Sequence, residues 1–123
     1  MTHETALALT LTIEGIVGGG LLLGWLQLRR GELGRGIMIV LAASLLTHPA
    51  AWQANRVWLL SLPFPPRAAI IEVSVALVEA MILRFALRAM IDDGAERVTW
   101  ARCLVVSFVM NAASFGYGLL RLL

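Results

Sequence analysis

Residues 5–30 read TALALTLTIEGIVGGGLLLGWLQLRR, an apolar run broken by a single acid, Glu14, and stopped by Arg29-Arg30. A helix rises 1.5 Å per residue, so about 20 residues cross a hydrocarbon core of roughly 30 Å, and this run is long enough. Three more runs of spanning length follow, so that spans are expected at about 5–28, 37–58, 68–87 and 100–120. Between the second and third, Ser61-Leu62-Pro63-Phe64-Pro65-Pro66-Arg67 is expected to be a stiff connection, because proline lacks the N–H and fixes its own φ. Asp92-Asp93-Gly94 reads as a turn. These runs predict an all-α integral membrane protein: a single domain, residues 1–123, of four transmembrane helices.

Composition excludes the main alternatives. Of 123 residues, 59% are apolar and 15% charged, with a mean hydropathy of +0.83; soluble domains hold roughly 45–50% apolar residues. The net charge is +2 and every basic residue is arginine. These arginines sit singly or in pairs at the ends of apolar runs, the pattern of topology anchors rather than of a nucleic-acid surface, so no nucleic-acid partner is expected. A single cysteine, Cys103, excludes an internal disulfide and a cysteine-based metal site. Met1-Thr2-His3-Glu4 carries no positive charge before the first run, which predicts a retained span and not a signal peptide.

Arginine counting predicts the orientation. Arg29, Arg30, Arg35, Arg84, Arg88, Arg97 and Arg102 belong to the loops after spans one and three, against Arg56, Arg67 and Arg121 on the other side. The positive-inside rule then places both termini outside the cytoplasm, with a bacterial inner membrane as the expected location. Trp25 and Trp100 near the inner interface, and Trp58 near the outer one, fit an aromatic belt.

Folded at its proline-rich loop, the chain shows a faint internal repeat. Ile13-Glu14 matches Val78-Glu79, and Ser44-x-x-x-His48 matches Ser107-x-x-x-Asn111. Spans one and three run in the same direction, so the halves are expected to be two parallel-repeated helical hairpins, an arrangement found among transporters.

The polar residues inside the spans carry the functional expectation. Glu14, His48, Glu79 and Asn111, one per span, fall at a depth of roughly 14–16 Å, near the midplane. A charge there costs about 2.5–3.5 kcal/mol even on the lenient insertion scale, so such groups turn inward and find partners. Glu72, seven residues before Glu79, extends the acids toward the outer surface, and Ser114, with Ser44, Thr47 and Ser107, completes the hydrogen bonding. Glu14 and Glu79 are expected neutral unless His48 becomes imidazolium or a cation binds, the usual device of coupled transport; neutral carboxyls gluing helices together are the plainer alternative. His48 precedes Pro49 and so has a second expected role, satisfying the carbonyl that the proline ring frees. His48 with the two glutamates is also a possible zinc or iron ligand set, a lesser reading because the usual i, i+3 or i, i+4 ligand pairs on one helix are missing. Gly15, Gly19, Gly20 and Gly24 on span one, and Gly118 on span four, are expected at helix contacts. No nucleophile elbow, zincin, Walker or Rossmann pattern occurs, which argues against familiar catalysis.

In length, number of spans and a glutamate in the first span, the chain resembles the small multidrug-resistance transporters. Glu79 and His48-Pro49 depart from that family's pattern, so the resemblance implies an architecture and transfers no residue roles. Four helices enclose little by themselves. The expected partners are the lipid bilayer and either further copies of the chain or other membrane subunits. The expected functions are proton- or cation-coupled transport as a homo-oligomer, an accessory or scaffolding role in a larger complex, and, third, a metal-dependent intramembrane enzyme.

Overall fold

The computed structural model of the chain describes residues 2–91 and 97–122, and the side chains of all but 121 and 122 among them. Asp92-Asp93-Gly94 and Glu96 lie outside the described residues, as does the side chain of Arg121. Among the described residues, four long helices form the fold: α1 (His3–Gly24), α2 (Arg30–Gln53), α3 (Phe64–Met90) and α4 (Trp100–Leu122), with a π-helical turn, Ala54–Trp58, prolonging α2. No strand occurs among the described residues. Each helix packs on the two beside it in the ring α1-α2-α3-α4, while the diagonal pairs stay apart. Neighbours around the ring are antiparallel. One end of the bundle therefore gathers the α1–α2 and α3–α4 connections, and the other gathers both termini and the α2–α3 connection.

Helix ends differ from the apolar limits for local reasons. The apolar run reaches Leu28, but α1 stops at Gly24. Gln27 adopts a left-handed φ of 54°, and the Leu28 N–H closes on the Leu22 carbonyl at 2.9 Å. That turn folds Leu26 and Leu28 back into the core, at 0% and 4% exposure. α2 starts seven residues earlier than its apolar run because Glu32 accepts the Arg29 N–H at 3.0 Å and caps the first turn. α3 begins at Phe64, inside the segment expected to be non-helical. Pro65 and Pro66 occupy its first turn, where no intrahelical N–H is required. Pro49 lies within α2 without ending it.

The core fills only half of the bundle. Leu22, Val40, Leu83, Leu87, Val106 and Met110 are fully buried at the end that holds the α1–α2 and α3–α4 connections. Arg97 ties those connections together, donating to the Gln27 carbonyl at 2.9 Å and pairing with Glu32 at 3.4 Å. The outer surface is apolar in the opposite sense, with Ile16, Met38 and Leu46 at least 70% exposed. Three segments, His3–Gly24, Arg30–Trp58 and Trp100–Leu120, are long and apolar enough to cross a membrane. α3 spans 27 residues but carries Arg67, Glu72, Glu79, Arg84 and Arg88.

Glycine contacts are selective. A Cβ on Gly15 would meet Leu41 and one on Gly19 would meet Ile37, each at 3.3 Å, so α2 rests on these two. The tightest positions are Gly18, against Met110 and Val40, and Gly36, against Leu28 and Leu22. Gly20, Gly24 and Gly118 meet nothing within 4 Å. On α1 the reason is rotational: at 3.6 residues per turn, Gly20 and Gly24 point away from the face that carries Glu14 and Gly18.

Candidate functional site: a carboxyl floor beneath a one-ended cavity

At mid-height, where the packed half of the bundle ends, Glu14 and Glu79 face inward from α1 and α3, each 1% exposed. Every carboxyl oxygen has one donor. Glu14 takes the Ser44 hydroxyl on Oε2 and the Ser114 hydroxyl on Oε1 at 3.0 Å. Glu79 takes the Thr47 hydroxyl on Oε1 at 2.7 Å and the Asn111 amide on Oε2 at 2.7 Å. Each acid is thus held by one group from α2 and one from α4. Exchanging α1 with α3 and α2 with α4 carries Ser44 onto Asn111 and Ser114 onto Thr47. The hydrogen bonds therefore follow a two-fold pattern. Its register lies one helical turn from the sequence match, which paired Ser44 with Ser107 and His48 with Asn111. Ser107 instead donates to the Ala76 carbonyl at 2.6 Å, binding α4 to α3.

Two of these hydroxyls have alternative acceptors. Thr47 Oγ1 lies 3.0 Å from the Ala43 carbonyl, and Ser114 Oγ lies 3.1 Å from the Asn111 carbonyl. A hydroxyl has one proton and two lone pairs. Thr47 and Ser114 can therefore donate to a carboxylate, or turn their proton to the backbone and accept from a carboxylic acid. Asn111 cannot reverse through its amide nitrogen, which donates to Glu79 and also to the Ser107 carbonyl at 2.9 Å. A proton taken up by Glu79 would therefore sit on Oε1, the oxygen facing Thr47. Asn111→Leu removes both amide bonds, and is expected to cost about 1–2 kcal/mol in SDS unfolding from mixed micelles, against about 0.5 for Ser107→Ala.

Above this floor a cavity of about 310 Å³ occupies the half of the bundle toward the chain termini. Leu9, Ala51, Phe64, Ile71, Val75 and Phe115 supply apolar wall, while Glu72, half-buried and without a hydrogen bond, faces the same space. Among the described residues, no arginine or lysine lines it. His48 lines the cavity too, but bonds to neither glutamate. Successive helical residues differ by about 100°, so the turn that aims Thr47 at Glu79 aims His48 elsewhere. Its ring stacks on His3 with centroids 5.3 Å apart, Trp52 lies 5.1 Å from His3, and the Arg56 guanidinium sits 4.7 Å over Trp52. This column closes the rim between α1 and α2. Its visible signal was the i, i+4 spacing of His48, Trp52 and Arg56; nothing in the sequence pointed to His3 as their partner. His48 Nε2 and His3 Nε2 are buried and unbonded, so His48 does not satisfy a carbonyl freed by Pro49 through that atom.

Of the six residues singled out for the site, the structure brings Glu14, Glu79, Asn111 and Ser114 into one network, places Glu72 on the cavity wall and sets His48 at the rim. Among the described residues, no three His, Cys, Asp or Glu side chains gather as a metal-ligand set. Compared with protein-family models, curated proteins and solved structures, the chain matches none.

Proposed function

We propose that this chain is a four-span membrane protein, two similar hairpins related by a two-fold along the membrane normal, that works as a homo-oligomer and couples proton or cation uptake at Glu14 and Glu79 to transport. What supports the reading most is one arrangement: two acids at mid-height, reachable from one end and sealed from the other, with hydroxyl partners that fit either protonation state. Two-way partners matter because a site that bonds only one form pays the desolvation of the other each time it titrates. Thr47 and Ser114 avoid that cost by turning toward their own backbone carbonyls. Glu72, above the floor and unbonded, is the first acid an entering cation meets. His48, at the rim, tunes the mouth and does not take part in the floor. Orientation follows the arginines, which puts the open end outside the cytoplasm.

A second reading has its own observation. All four carboxyl oxygens are already satisfied within one chain, which is also what polar glue in an accessory subunit requires. Reconstituted protein separates the two. Under an imposed proton gradient, Glu14→Gln with Glu79→Gln keeps size and hydrogen bonding but removes titration, and is expected to bring dye-reported proton entry down to the protein-free rate. Proton or cation flux equal to wild type in the double variant defeats coupled transport and leaves the accessory role.

A further inference from the structure

At the arginine-rich end of the bundle the cations are not all accounted for. Arg97 pairs with Glu32, and Arg102 donates to the Arg97 carbonyl at 3.2 Å. Arg84 and Arg88, one turn apart on α3, differ: among the described residues their side chains meet neither a carboxylate nor another hydrogen-bond acceptor. Arg84 stands six residues, about 9 Å of helix, before α3 ends at Met90. Rings hold it there. Its guanidinium sits 5.6 Å from the centroid of Trp100, and Trp100 in turn meets Phe85 edge-to-face at 5.6 Å. Positions 77, 81, 84 and 88 advance by alternate steps of four and three, so Leu77, Met81, Arg84 and Arg88 share one stripe of α3. That stripe is on the outside of the bundle: Leu77, Met81, Phe85 and Trp100 are exposed, Arg88 is exposed and Arg84 half-buried. It is apolar toward mid-height and doubly cationic toward the end of the helix.

We infer that this stripe, with Trp100 beside it, seats a phospholipid of net negative charge, whose phosphodiester lies on Arg84 and Arg88 while an acyl chain runs over Met81 and Leu77. A lipid carries its charge at the membrane surface and its hydrocarbon deeper, and the stripe has the same order. Guanidinium groups present a planar fork of donors that suits phosphate oxygens. An unrestrained arginine at this depth would stretch outward to water, whereas Trp100 and Phe85 keep Arg84 beside the helix as a preformed half of the seat. The headgroup's charge follows from what surrounds it. Two cations with no acid beside them match an anion, while the ammonium of a zwitterionic headgroup would stand against both guanidinium groups unpaired. The seat depends on the membrane reading above and on no step of transport.

The test uses full-length protein in nanodiscs, with Trp25, Trp52 and Trp58 changed to Phe so that Trp100, at the seat, is the only tryptophan. The probes are a phosphatidylglycerol and a phosphatidylcholine of equal chain length, each brominated on its upper acyl carbons and titrated into unlabelled phosphatidylcholine. Phosphatidylglycerol is expected to quench Trp100 with a relative association constant roughly fivefold or more above that of phosphatidylcholine, the preference that a basic residue near the surface supplies. Arg84→Gln with Arg88→Gln should bring the two lipids within about twofold. Arg88→Gln alone, at an exposed position, should fall between. Arg35→Gln removes an exposed cation from α2 near the same end, diagonal to α4, and should leave the preference as it was. Quenching by phosphatidylcholine, expected in every variant, reports that Trp100 still borders lipid. Equal association of both lipids with the unaltered seat, or a preference that survives loss of both arginines, overturns the proposal. A loss in Arg35→Gln as large as in the double variant overturns it too, because the attraction is then the diffuse field of that end. Inorganic phosphate that abolishes the preference beyond chloride of equal ionic strength overturns the lipid as the source of the anion. No flux enters this measurement, so its failure and that of the Glu14→Gln, Glu79→Gln experiment are read separately.

Discussion

Gly18→Ala is expected to destabilise the bundle by about 1–3 kcal/mol, whereas Gly20→Ala, two positions along, is expected to be neutral or to stabilise it by up to about 1 kcal/mol. A Cβ on Gly18 would stand 2.6 Å from Met110 Sδ and 3.1 Å from Val40 Cγ1. Met110 and Val40 are both 0% exposed, so neither can swing outward to make room. Relief has to come from moving α1 away from α2 and α4 together. In a bilayer that is expensive, because helix association there relies on close packing and hydrogen bonds rather than on hydrophobic burial. Separation would also stretch the bonds that Ser44 and Ser114 make to Glu14, one turn above. Gly20 has open space and gains only the better helix propensity of alanine. Unfolding in mixed micelles at rising SDS fraction compares the two; equal midpoints would mean that the tight seam beneath the floor is absent.

The same contrast marks the limits of reading this chain from its letters. Glycines at 15, 19, 20 and 24 look equivalent in sequence, yet 15 and 19 face α2 while 20 and 24 face outward. Gly18 does not stand out among them, because small-residue spacing is a one-dimensional pattern, whereas packing depends on which neighbour arrives opposite. Depth, by contrast, was legible. Counting residues from the ends of each apolar run placed Glu14, Glu79 and Asn111 on one level, and the hydrogen bonds join Glu79 to Asn111 and Glu14 to Ser114. Rotation about the helix was not legible: Thr47 and His48 share a depth, and only the packed bundle decides which of them meets Glu79. For the same reason the half-to-half match appeared one turn off. Alignment of similar letters favours Ser44 with Ser107, while the geometry equates Ser44 with Asn111, residues of unlike type that do the same thing to their glutamates. The apolar hollow between α3 and α4 has no signature in a single sequence, since it is made by what the two helices leave unfilled between them.

Accessibility along the bundle axis is expected to change abruptly at the level of the two glutamates. The native cysteine, Cys103, is 0% exposed, so a Cys103→Ala protein gives a silent background for single cysteines. Ala51→Cys and Val75→Cys place thiols on the cavity wall; Val40→Cys and Leu83→Cys place them in the packed half. Thiol reactivity requires thiolate and therefore water, which the cavity admits and the packed core does not. With a membrane-impermeant maleimide added on the side of the chain termini, cysteines at 51 and 75 are expected to react on the order of 100-fold faster than those at 40 and 83, a ratio set by exposure of the thiolate. Added on the arginine-rich side, the reagent should reach none of the four. The pattern bears directly on coupling, because a carrier has to keep its midplane acids open to one side at a time. If cysteine 40 or 83 labels as fast from the arginine-rich side as cysteine 51 does from the other, the lower half of the bundle is permeable to water. Glu14 and Glu79 would then sit in a continuous aqueous path, as in a channel, and the alternating-access form of the transport reading would give way to that of a pore.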